Sequence, residues 1–313
     1  MHQFTNILFV SHGISDETAV LKETIKLAID NEARLSVLIV CPDFPKRLKD
    51  YVQPYEQTLK DHLNENIKAA ISELNLNKKK PDIAIHVESG KTPDIRIIRH
   101  VLRHSHDLLV KEIESSDNAK GFKALDMELL RKCPCALFLH RPSKHAYNKL
   151  HVAVAIDPFE EDQAGLDLTI ELLQISHSLA KQYTGKLSIF SCWSFALEGY
   201  VRGNPWLKIT PEEIDNLLAE EKESHKKAIK EQIKAAKIKD NYTIVQLKGQ
   251  PEYLIPKEIE HKKIDILVMG TVARTGISGF IIGNTAENIL QRINCSLLAL
   301  KPQGFTSPVK AYE

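Results

Sequence analysis

Short, continuously apolar runs recur along this chain, separated by longer runs in which apolar residues return at helical spacing. The clearest series lies in the carboxyl-terminal half. Residues 152–156 form a short apolar run. Leu166, Leu168, Ile170, Leu172, Leu173 and Ile175 then stand among polar residues in a helical pattern. Residues 187–192 read as a second strand. Pro211 opens a long charged helix, and proline suits a first helical turn. Ile214, Leu217, Leu218, Ala228 and Ile229 give that helix an apolar stripe. Residues 242–247 predict a third strand, 251–261 a short helix and 264–269 a fourth strand. A helix from Thr285 leads to a fifth strand at 296–300. Short apolar strands alternating with helices predict a parallel sheet covered on both faces, with right-handed connections. In such doubly wound sheets, ligands bind beyond the carboxyl ends of the strands, where the strand order reverses.

The pattern occurs twice. "NILFVSH" at Asn6 resembles "HVAVAID" at His151, and "ARLSVLIVC" at Ala33 matches "GKLSIFSCW" at Gly185. "HDLLV" at His106 corresponds to "IDILV" at Ile264. "LLRKCPCALFLHRP" at Leu129 pairs with "ILQRINCSLLALKP" at Ile289, which sets Cys135 on Cys295 and Pro142 on Pro302. The pairs keep one order, about 145 to 160 positions apart. The chain therefore predicts an α/β protein of two tandem doubly wound domains, each with a five-stranded parallel, flavodoxin- or Rossmann-like sheet. Their expected limits are 1–143 and 149–305, with a polar linker within 141–150. A length of 313 residues suits two cores better than one.

Glycine is distributed unevenly. Of thirteen glycines, four fall between Gly270 and Gly283, directly after an apolar strand and before a helix. Glycine lets backbone N–H groups approach a ligand closely, and a helix N-terminus favours negative charge. Asn284 is placed to cap the helix, with Glu287 three positions on. Two readings fit the stretch: a phosphate cradle, or a tight crossover whose glycines serve turning and packing. It is neither a Walker loop nor a GxGxxG fingerprint.

Charge narrows the partners. Lys plus Arg is 42 and Asp plus Glu is 41, a balance that argues against nucleic acid or acidic membrane as a general partner. There is no run of about eighteen apolar residues, so no membrane span is expected. "MHQFTNILFV" has no basic n-region and reads as a buried first strand rather than a signal peptide. Five cysteines, an odd number, favour reduced thiols and a cytoplasmic location.

The spacing Gly270, two residues, Ala273, nine residues, Gly283-Asn284-Thr285 resembles the nucleotide loop of the universal stress protein family. That loop has glycine at both early positions, then glycine followed by serine or threonine. Here Ala273 and Asn284 depart from it, with Thr285 beside the second departure. Asp157, in "HVAVAID", matches the family's acidic residue at the end of its first strand. The resemblance covers nearly the whole chain in two copies and is closest in type to the bacterial E-type tandem members. It implies ATP or a related nucleotide in the second domain, with Asp157 near the adenosine end. Gly270, Ala273, Gly283, Asn284 and Thr285 would then lie along the phosphates. It implies no metal beyond a magnesium ion accompanying the nucleotide. It also implies a stress-response role in which occupancy changes the partners contacted, packing of the two halves through their final strands, and further pairing of whole chains as a homodimer. In the first half Glu112 stands in the place of Gly270, and His12 in that of Asp157. Glu112, Glu114 and Asp117 would repel polyphosphate, so that half is expected to have lost nucleotide binding.

Other features carry two readings each. Residues 193–210, with Trp193, Phe195, Tyr200 and Trp206, read as an aromatic anchor for a long loop or as a lid over an apolar ligand. His100 and His104 are one helical turn apart, as two metal ligands would be, but a titratable surface helix is the favoured reading. Arg274 reads as a solvated side chain or as a phosphate contact. "CPC" at 133–135 is tighter than the Cys-x-x-Cys redox motif. The charged run from Glu220 reads as a solvated helix face. No catalytic residue is nominated, because no nucleophile–base motif stands out. Two alternatives to a nucleotide-binding regulatory module follow: a carrier or sensor of an apolar, lipid-like ligand, and a weak nucleotide hydrolase.

Overall fold

The structure, a computed structural model, describes residues 4–76, 81–114, 120–143, 145, 149–160, 162–203, 209–271 and 282–312. The chain divides into two compact units. One comprises Met1–Lys144, Ser278–Ile282 and Asn294–Glu313; the other comprises His145–Ile277 and Gly283–Ile293.

In the first unit the elements run β1 (Asn6–Ser11), α1 (Thr18–Asn31), β2 (Arg34–Cys41), α2 (Val52–Glu73), β3 (Ile83–Ser89), α3 (Pro93–His104), β4 (Leu108–Glu112), α4 (Ala124–Lys132) and β5 (Ala136–His140). The strand order is β3-β2-β1-β4-β5, all parallel. Every residue of β1 is buried, because helices cover both sheet faces. Its Ile7, Leu8, Phe9 and Val10 contribute roughly 1.5–3 kcal/mol each by leaving water. That explains why this run, rather than the half-buried β3, holds the centre. β10 (Ser296–Leu300), the last strand of the second repeat, belongs to this compact unit. It pairs antiparallel with β5, Leu298 opposite Phe138.

The second unit carries β6 (Val152–Ala155), α5 (Gln163–Gln182), β7 (Leu187–Trp193), α6 (Glu198–Gly203), α7 (Pro211–Ala235), β8 (Tyr242–Lys248), α8 (Pro251–Lys262), β9 (Ile266–Gly270) and α9 (Asn284–Leu290). Its parallel order is β9-β6-β7-β8. From β6 the chain steps to β7 on one side and returns to β9 on the other. The order therefore reverses at β6 and β9, and a crevice opens beyond their carboxyl ends. α7 begins at a capping box. The Thr210 hydroxyl accepts from the Glu213 N–H at 3.2 Å, and the Thr210 N–H donates to the Glu213 carboxylate at 2.7 Å. The T-P-E-E string carried this signal, although Pro211 alone marked the start in the sequence reading.

Candidate functional site

A cavity of about 430 Å³ lies in the second unit, at the carboxyl ends of β6 and β9. Asp157, two residues beyond β6, lines one side. Gly270, the last residue of β9, and Gly283, Asn284 and Thr285, at the start of α9, line another. Leu168, Leu172, Ile255, Met269 and Ile289 form an apolar wall. Among the described lining residues the charged ones are Asp157 and Glu160, both acidic. Five of the six residues singled out in the sequence thus meet at one cavity. The sixth, Ala273, lies outside the described residues, as do Arg274, Trp206 and Asp117.

Local chemistry explains each position. The Asp157 carboxylate accepts from the Phe159 N–H at 3.0 Å, which turns the chain sharply off β6. Asp162 caps α5, accepting from the Gly165 N–H at 2.6 Å. A Cβ on Gly165 would sit 2.8 Å from the Glu160 carboxylate, so glycine lets that carboxylate lie against the helix. A Cβ on Gly270 would sit 3.0 Å from Leu168 Cδ2. This glycine therefore allows α5 to pack close on β9.

The start of α9 differs from the sequence expectation. Gly283 is the N-cap, with φ −58° and ψ 138° and no side-chain cap, and Asn284 is the first helical residue. The Glu287 N–H returns to the Gly283 carbonyl at 2.9 Å, so Glu287 is the fourth helical residue, one position beyond where a capping box would place it. The Gly283 N–H itself donates to the Thr271 carbonyl at 3.1 Å. That bond fixes the cap at the glycine and leaves the amides of Asn284, Thr285 and Ala286 without intrahelical acceptors. Asn284 and Thr285 are exposed.

Cys192 also lines the cavity, and burial, with the nearby Glu252 and Asp157 charges, pushes its thiol up to about 12. It is a neutral wall atom rather than a nucleophile. Behind it the structure assembles a set that the sequence reading missed. Ser191 Oγ is 3.0 Å from His225 Nε2, and Gln246 Nε2 is 2.9 Å from His225 Nδ1. Gln246 Nε2 also donates to the Lys222 carbonyl, so it is the amide nitrogen, and its second proton goes to Nδ1. His225 Nε2 then carries the ring proton and donates to Ser191. Burial, opposed by Asp157, pushes this imidazole's pKa down. The set orders a buried corner and does not activate the serine. Of the aromatic loop's described residues, Trp193 is buried under the Lys248 ammonium, 5.8 Å from the ring, and neither Phe195 nor Tyr200 lines the cavity.

The first unit fills the corresponding edge with its own charged groups. Glu17, fully buried, accepts from the Ser11 hydroxyl and, at 2.8 Å, from the His12 N–H. His12 Nε2 donates to the Glu112 carbonyl at 3.3 Å. His140 is 2.8 Å from Glu23. Lys111 and Asp126, both fully buried, pair at 2.9 Å. Burial pushes the Glu112 and Asp126 carboxyls up, against the pull of His140 and Lys111 respectively. Among the described residues, carboxylates stand at the ends of β1 and β4.

His100 departs from the surface reading. It is buried, its Nδ1 lies 3.0 Å from Glu88, and its ring lies 4.3 Å from His104, 5.0 Å from His86 and 5.6 Å from His106. Among the described residues no three side chains are placed to share a metal ion. No described helix is long and apolar enough to cross a membrane.

The profile of the universal stress protein family matches residues 3–141 and again 150–301. Universal stress protein E of Photorhabdus laumondii is 26% identical over 316 residues, spanning 99% of both chains. The protein of that name from Escherichia coli K12 is 28% identical over 318 residues, spanning 99% of this chain and 98% of its own. In three dimensions a Pseudomonas aeruginosa protein superimposes with a TM-score of 0.68 at 20% identity, over 96% of this chain and 94% of its own. A universal stress protein of Archaeoglobus fulgidus gives 0.61 at 15% identity, over 95% and 98%.

Proposed function

The chain belongs to the universal stress protein family, in a tandem two-domain form, and from that premise we propose that its second unit binds an ATP-like nucleotide as a regulatory ligand. One observation carries the proposal: a single cavity is lined by Asp157 and by both described ends of the glycine-rich stretch. Its volume falls in the range of small-molecule sites. The free amides of Asn284, Thr285 and Ala286 and the Thr285 hydroxyl suit phosphate oxygens. The Asp157 carboxylate suits a ribose hydroxyl donor, and the apolar wall suits a base. Asp157 and Glu160 would repel phosphates at their end of the cavity, which orients the nucleotide with its phosphates toward α9. A magnesium ion accompanying the nucleotide would offset the same charge.

Calorimetry of the full chain with magnesium and ATP tests this, comparing the native protein with Gly283→Asp. Aspartate suits an N-cap, so the variant should fold and cap α9 more firmly. Its charge should nonetheless weaken saturable ATP binding by about tenfold or more. Absence of native binding at millimolar ATP would refute the proposal. The apolar wall favours a second reading, a lipid-like ligand in the same cavity. A lipophile retained in native mass spectra, with no ATP binding, would establish it.

A further inference from the structure

Cys133 and Cys135 take no part in the cavity. Cys133 caps the end of α4, its N–H donating to the Leu129 carbonyl at 2.9 Å. Pro134 and Cys135 then form a bend before β5 begins at Ala136. In an extended segment, side chains two residues apart share a face but stand about 6.5 Å apart. The bend instead brings the two sulfurs to 3.5 Å. Cys133 is fully buried, while Cys135 is partly exposed. The Lys301 ammonium is held near enough for its charge to act on both thiols. It donates to the Leu130 carbonyl and lies 4.6 Å from the centre of the Phe305 ring.

We propose that Cys133 and Cys135 are a peroxide-sensitive dithiol that closes reversibly to an intrachain disulfide, with Lys301 as the positioning cation that favours its thiolate. The separation must shrink to about 2.05 Å, a movement available to side-chain torsions at a bend. A metal role is disfavoured because no third ligand joins the two thiols among the described residues, and structural zinc takes four. The hydrogen bond from Cys135 pulls the Cys133 thiol down, with a smaller contribution from Lys301, and the same contact and burial push Cys135 up, so the pair gives up one proton before the other. Burial pushes Lys301 down to about 8, and the thiols oppose that shift. At neutral pH it therefore still carries its charge.

The remaining proton is shared across the short contact. The sulfur left without it is the thiolate. That sulfur attacks one oxygen of hydrogen peroxide and breaks the O–O bond, giving a sulfenic acid and, after proton uptake, water. The partner sulfur then attacks the sulfenic sulfur, and the hydroxyl leaves as a second water. Two thiols and one peroxide become one disulfide and two waters.

The test uses the full-length reduced chain, exposed to a small excess of hydrogen peroxide, blocked with maleimide and mapped by peptide mass. The peptide carrying Cys133 and Cys135 should lose two hydrogens and escape maleimide before Cys41, Cys192 or Cys295 changes. Dithiothreitol should restore it. Lys301→Met should slow closure about threefold, the thiolate gained near a cation being partly offset by lower nucleophilicity. Lys301→Arg should retain the native rate. Two maleimides on the peptide after peroxide, or a sulfinic acid on Cys135 without a disulfide, would overturn the proposal. An unchanged rate in a folded Lys301→Met protein would remove Lys301 from it.

Discussion

Acid should loosen the first unit, and His106 supplies a calculable part of the effect. It lies between α3 and β4, 6% exposed, with His100 at 5.6 Å and His104 at 6.0 Å. Burial pushes its imidazole down to about 4, and His100 adds to the shift; the Asn6 carbonyl and Asp107 oppose it. In the unfolded chain the same ring titrates near 6.5. Below that pH the unfolded state takes up a proton that the folded state refuses, so stability falls as pH falls. The loss begins near pH 6.5 and is complete near pH 4, about 3 kcal/mol in all. Between about pH 7.5 and pH 5 it amounts to about 2 kcal/mol. Burial pushes His100 down as well, which adds in the same direction. A two-unit chain need not unfold in one step, so the readout must be local. Hydrogen exchange at β1 and β4 amides should speed up on acidification beyond the intrinsic pH effect, and less so in His106→Gln. NMR should show the His106 ring still neutral at pH 5.5. A titration midpoint at or above about 6, with exchange protection unchanged, would refute the reasoning.

Two further outcomes follow from packing. Lys111→Met strips a buried carboxylate of its partner and should cost the first unit about 3–5 kcal/mol, read by exchange at β4. Adding Asp126→Leu should restore most of that, because the pair's desolvation cost disappears with it. Gly270→Val drives carbon into Leu168 and should lower stability by about 1–3 kcal/mol. Both tryptophans lie in the second unit's span, so fluorescence in urea reports the loss, and Leu168→Ala added to the variant should recover part of it.

Much of the architecture is legible in one dimension. The runs at 152–156, 187–192 and 242–247 fall within about a residue of β6, β7 and β8. The repeated strand–helix order gives two copies of one fold, matched by the family profile. Gly270 and Glu112 each end a strand, so the difference in chemistry between the two edges was visible as a difference in letters. These features are local. Alternation and helical spacing depend on neighbours within a few residues, and the sequence states those neighbours directly.

What the sequence left open depends on groups far apart in the chain. The letters of β10 bear no mark of its partner; the family resemblance implied pairing of the two final strands, and the fold sets β10 antiparallel to β5. The cap of α9 moved to Gly283 because the Thr271 carbonyl claims its amide. One-turn spacing put His100 beside His104, but His86 and Glu88, brought in from β3, give it a buried, multi-ring setting. Ser191, His225 and Gln246 come from β7, α7 and β8 and meet only in the folded state. Burial and hydrogen-bond partners belong to that packed state, and they decide which titratable groups keep their charge. The sequence alone therefore determined the elements and their repeat, and tertiary structure decided partners, caps and protonation.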